Sequence, residues 1–115
     1  MTREFVLLPE FDAMWKELDL NEDDLLRLQT ELLDNPQAGD VMKGTGGVRK
    51  MRFALEHRGK SGSTRIIYID FAVYEKIYLL TAYAKKQKDN LSKEERNNMK
   101  KIVEVIEASL KNNRR

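Results

Sequence analysis

The stretch GTGGVRKMRFA, residues 44–54, sets three cations, Arg49, Lys50 and Arg52, directly behind a glycine cluster. Strands that build a core favour β-branched and aromatic residues, so a cationic strand meets either plain solvent or an anion. Period-two alternation places Lys50 and Arg52 on one face and Met51 and Phe53 on the other. From Lys43 to Arg65 the chain carries seven Lys/Arg and one Glu, a net +6. So little opposing charge suits phosphate contacts, whereas the plain alternative is a solvated face whose cations discourage edge aggregation. Arg65 opens the next strand-like run and is expected beside residues 48–54 in a hairpin, and Lys85, Lys86 and Lys88 follow the last run. Three segments can thus converge on one cationic patch. Lys43, Arg49, Arg58 and Lys60 extend it, and Tyr83, close to the lysines, is the ring placed to touch a base.

Other chemistries have less support. The glycines of GTGG suit positive φ and a turn into the strand, with an anion-cradling nest as the alternative. His57 is the only histidine and sits in the polar loop EHRGKSGS, where an exposed residue is expected rather than a catalytic one. One histidine and scattered carboxylates lack metal-ligand spacing, and with no cysteine, thiolate zinc sites, disulfides and Cys nucleophiles are excluded together. No Walker or dinucleotide motif is present, so neither metal nor cofactor is expected.

The elements that must position these cations follow from periodicity. EFVLLP reads as a short strand closed by Pro9, followed by a brief helix with Phe11, Met14, Trp15 and Leu18 at helical spacing. Asn21 is the expected N-cap of a second helix with a broad leucine face, ended by Pro36. VRKMRFALE, TRIIYIDF and KIYLLTAYA then read as three strands of an antiparallel meander, with a tight turn near Val73–Glu75. SKEE at Ser92–Glu95 has capping-box spacing, and Met99, Ile102, Val103, Ile106 and Leu110 form the stripe of a final helix. This order gives an α+β fold: a small antiparallel sheet with two N-terminal helices and a C-terminal helix, expected on one face of the sheet.

Residues 1–115 read as one domain of ordinary size, with 41% hydrophobic and 35% charged residues, a globular composition with a heavily charged surface. No run approaches the ~20 apolar residues of a membrane span, and no signal peptide is evident, which predicts a cytoplasmic protein without membrane association. The net charge of +2 conceals an asymmetry: residues 1–40 hold three Lys/Arg against eleven Asp/Glu, and residues 41–115 eighteen against eight. One polyanion-facing surface is the functional reading of that split, and helices of opposite charge the bland one.

GDVMKGTGGVRKMRFA, GKSGSTRIIYIDF and KIYLLTAYAKKQKDNLS, in that order and spacing, resemble the RelE/HigB family of toxins from bacterial toxin–antitoxin modules. The resemblance runs from about Asp40 to Ser92, and the acidic N-terminal helices and the length are similar to the HigB-like branch. It implies a RelE-like fold and a ribosome-dependent endoribonuclease that cuts messenger RNA in the ribosomal A site. By resemblance Lys50 and Arg52 match the paired cations of the family's second strand, Arg65 the arginine of the third, and Lys85 or Lys86 the basic residue after the last. The implied partners are the ribosome, mRNA and a cognate antitoxin, of helix-turn-helix, HigA-like kind.

Elementary chemistry agrees with that implication. RNA is cut without metal when its 2′-hydroxyl attacks the adjacent phosphate and preorganised cations stabilise the phosphorane. Arg52 and Arg65 would hold the phosphate. Crowded positive charge favours the neutral form of a lysine, which makes Lys50 or Lys86 the candidate general base. After Tyr83 the chain has no Tyr or His, which leaves the general acid unassigned, with Tyr83, His57 or the lysines as substitutes. Two other readings compete: a ParE-like toxin that keeps the fold, cuts no RNA and inhibits DNA gyrase, and a non-enzymatic RNA-binding module.

Overall fold

The computed structural model describes residues 2–54, 63–85 and 90–113. Along the chain run β1 (Glu4–Leu7), α1 (Pro9–Glu17), α2 (Glu22–Asp34), β2 (Asp40–Val41), β3 (Arg49–Ala54), β4 (Ser63–Phe71), β5 (Lys76–Ala84) and α3 (Lys93–Asn113), with a 3₁₀ turn over Ala72–Tyr74. Local chemistry sets most of these bounds. Pro9 stands at the first position of α1, where its missing N–H costs nothing. Asn21 and Asp24 cap α2 reciprocally: Asp24 N donates to Asn21 Oδ1 at 2.8 Å and Asn21 N to Asp24 Oδ2 at 3.0 Å. Ser92 and Glu95 repeat the device before α3.

The sheet order is β1-β5-β4-β3-β2. The meander β3-β4-β5 is antiparallel as expected, but β1 joins β5 in parallel, so the sheet is mixed. The connection from β1 to β5 runs through both helices and the rest of the sheet, which is what allows a parallel pair. Arg3 closes this edge with a two-pronged ion pair to Asp70, Nε to Oδ1 at 2.8 Å and Nη2 to Oδ2 at 3.3 Å.

The expectation that all helices share one face is corrected. Phe11, Trp15, Leu28 and Leu32 of α1 and α2 pack with Met51, Phe53, Ile66 and Tyr68 on one side. Met99, Val103 and Leu110 of α3 pack with Ile67, Ile69, Phe71 and Leu80 on the other. The physical reason lies in β4 and β5, whose residues are apolar on both alternations and so demand cover on both faces. Within the α3 stripe Ile102 remains 41% exposed.

Pro36 also does more than end α2. Tyr68 Oη donates to its carbonyl at 2.9 Å and accepts from Gly39 N at 2.9 Å, while Arg49 Nη1 donates to Gly39 O at 2.7 Å. Residues 36–39 are thereby tied to β3 and β4. An added Cβ on Gly39 would lie 2.8 Å from the Lys50 carbonyl oxygen, so only glycine permits this approach. The loop into β3 is held by Thr45, whose Oγ1 donates to Met42 O at 2.7 Å and accepts from Val48 N at 3.0 Å, with Gly44, Gly46 and Gly47 all at positive φ.

Candidate active site

Strand register assembles the site. Arg52 pairs with Arg65, and Arg65 with Tyr83, so one row crosses β3, β4 and β5 on the α3 side of the sheet. One step along β3, Lys50 stands on the same face, paired on one flank with Ile67 and on the other with Asp40 of β2. Lys50, Arg52 and Arg65 line a single open cavity of about 340 Å³ together with Asp40, Met51 and Asn90.

The polar contacts hold the cations without neutralising them. Arg52 Nε donates to Ser63 Oγ at 3.1 Å, Arg65 Nη1 to the same oxygen at 2.8 Å, and Lys50 Nζ to Asn90 Oδ1 at 3.1 Å. Among the described residues no carboxylate forms an ion pair with any of the three. Two guanidinium groups directly opposite one another repel, and a shared neutral acceptor only orients them. Such an arrangement can take a phosphate, which answers both forks and the ammonium at once.

A bulge in β5 completes the row. Thr81 pairs with Ile67 but Leu79 with Tyr68, so Leu80 is an extra residue between them. Strict alternation from Ile77 would turn Tyr83 toward α1 and α2; the bulge turns it to the α3 side, beside Arg65. Tyr83 is only 3% exposed, packed in the α3-side core with Leu91 and Met99, so it does not line the cationic cavity and offers no open face for stacking.

The other described sequence candidates fall elsewhere. Arg49 points to the opposite face, where Nη1 donates to the carbonyls of Gly39 at 2.7 Å and Gln37 at 3.4 Å, a clamp on the loop. Lys43 is exposed in the glycine turn and Lys85 is exposed at the end of β5, its N–H donating to Ser63 O at 3.2 Å; neither lines the cavity. His57, Arg58, Lys60, Lys86 and Lys88 lie outside the described residues.

Three cavity-lining or cation-holding residues were not legible in the sequence: Asp40, Ser63 and Asn90. Asp40 belongs to a strand of two residues, too short for any periodicity. Ser63 opens β4 and Asn90 precedes α3, positions where polar residues read as loop or cap.

The comparisons with known proteins accord with this geometry. The sequence matches the family model described as the RelE toxin of the RelE/RelB toxin–antitoxin system over residues 9–113. Among solved structures the fold is similar to that of the E. coli toxin RelE, in the free state, with two arginines replaced by alanine. The TM-score is 0.52 at 15% identity, covering 77% of this chain and 90% of that one, a likeness of fold. With nearly its whole length matched and the fold in agreement, the chain belongs to the RelE toxin family of toxin–antitoxin systems.

Proposed function

We propose that this toxin is a ribosome-dependent mRNA endonuclease that cuts A-site codons by attack of a 2′-hydroxyl on the neighbouring phosphate. The observation that carries this reading is the group of Lys50, Arg52 and Arg65 in one cavity, none of them in an ion pair among the described residues and two of them directly opposite across a ladder. In the phosphorane the non-bridging oxygens gain charge, and cations already fixed in place stabilise that charge more than the ground-state phosphate. Arg52 and Arg65 would take the non-bridging oxygens, with Lys50 adding charge beside them. Lys85 and the lysines after it would guide the RNA backbone by long-range attraction.

Inhibition of translation follows from loss of the message. The partner that goes with this reading is a cognate antitoxin, of the helix-turn-helix, HigA-like kind suggested by the sequence resemblance. The test is primer-extension mapping on a ribosome-bound message with wild type, Arg65→Ala and the Lys50→Ala/Arg52→Ala double variant. Cuts at A-site codons that vanish in both variants are expected. Intact message alongside persistent toxicity would move the target to a protein such as gyrase.

A further inference from the structure

We infer that Asp40 is the general base of the cleavage reaction, an assignment that rests on the nuclease reading above. Its position follows from register: directly opposite Lys50 in an antiparallel pair, it shares the face of Lys50 and Arg52 and is the one carboxylate among the described residues lining the 340 Å³ cavity. It is exposed, lines the cavity and forms no ion pair with a cation among the described residues. The backbone just before it is fixed at Gly39, which packs against the Lys50 carbonyl and whose own carbonyl accepts from Arg49 Nη1. An anion in a phosphate site weakens binding of the ground state. A carboxylate held there by design of the fold makes sense as a group that acts in the reaction.

Lys50 is the alternative base, but its Nζ is already donating to Asn90 Oδ1 and stands beside Arg52, where it serves as charge. In the step assigned here, the 2′-hydroxyl proton passes to the Asp40 carboxylate as the 2′-oxygen bonds to phosphorus. The bond from phosphorus to the 5′-oxygen breaks, and that oxygen takes a proton from water. The products are a 2′,3′-cyclic phosphate and a 5′-hydroxyl, and Asp40 returns its proton to solvent.

The test is single-turnover cleavage of a defined message on purified ribosomes by wild type, Asp40→Asn and Asp40→Ala, with ribosome binding and thermal melting in parallel. Asp40→Asn should bind and melt as wild type does yet cleave roughly 10²- to 10³-fold more slowly at neutral pH. Its rate should climb about tenfold per pH unit as hydroxide replaces the missing base. Added formate should restore part of the activity of Asp40→Ala, a readout that a structural role would not move. Cleavage by Asp40→Asn at the wild-type rate, a uniform slowing with no change in pH profile, or a change only in which codon is cut would each overturn the assignment while the nuclease reading stands. Intact message with the wild-type protein would overturn that reading and this one with it.

Discussion

Arg52 and Arg65 stand directly opposite each other across the β3–β4 ladder and share one acceptor, the Ser63 hydroxyl, at 3.1 and 2.8 Å. Like charges in directly opposed positions destabilise a sheet, so the pair is maintained against the stability of the fold. Replacing Arg52 with Gln should therefore leave the melting temperature unchanged or raise it by about 2 °C. The same variant should cut ribosome-bound message roughly 10²-fold more slowly. Thermal melting and a cleavage time course on one preparation check both halves, and a marked drop in melting temperature would show that the opposed pair does not burden the fold.

Ser63 is the orienting member of that trio. Its carbonyl keeps the backbone bond from Lys85 N whatever the side chain, so Ser63→Ala removes only the shared hydroxyl. Both guanidiniums then lose their fixed acceptor and must be ordered during reaction. Cleavage should fall roughly tenfold through the chemical step, with ribosome affinity held, because misplacement by an ångström or less is enough to lose that much. Single-turnover rates set beside ribosome binding constants separate the two, and an equal loss in both would assign Ser63 to binding instead.

The cationic strand, the two long strands after it and all three helices were legible because each has its own period or cap: Lys50 against Met51, Asn21 with Asp24, Ser92 with Glu95. What escaped depended on partners distant in sequence. β1 pairs in parallel with a strand some seventy residues later, and nothing in EFVL specifies that neighbour. Arg49 and Lys50 are adjacent and chemically alike, yet alternation sends one to the loop clamp and the other to the cavity. The bulge at Leu80 changes the parity of β5, so the face of Tyr83 could not be counted from its neighbours.

Gly39 couples the fold to the site. A methyl group there meets the Lys50 carbonyl oxygen at 2.8 Å, a backbone atom that has no rotamer to escape into. Gly39→Ala must therefore push β2 away from β3, separating Asp40 from Lys50. The expected cost is about 2 kcal/mol in urea unfolding, with an unchanged dependence on urea concentration. Cleavage should fall more than stability alone predicts, measured at a temperature where the variant is fully folded. A variant as stable and as active as wild type would mean that β2 adjusts freely.

Tyr68 holds the same loop from the other side of the sheet. Its phenol is buried, and burial raises its pKa from the ordinary value of 10.0, outweighing the Gly39 hydrogen bond and the nearby Arg49 charge, both of which lower it. Tyr68→Phe deletes two bonds to buried backbone groups, Pro36 O and Gly39 N, and should destabilise the fold by roughly 1–3 kcal/mol at neutral pH. The sign of its pH dependence follows from proton binding. Above pH 10.0 the unfolded chain releases this proton while the folded chain retains it, so the stabilisation is complete below that pH and is lost as pH rises through the folded value. The gap between wild type and Tyr68→Phe should accordingly narrow from about pH 10 upward, since only the wild type carries the linked proton. Urea unfolding of both proteins at matched pH values on either side of that point measures the gap directly. A gap that stays constant or widens would show that the phenol ionises at least as readily in the fold as in the unfolded chain.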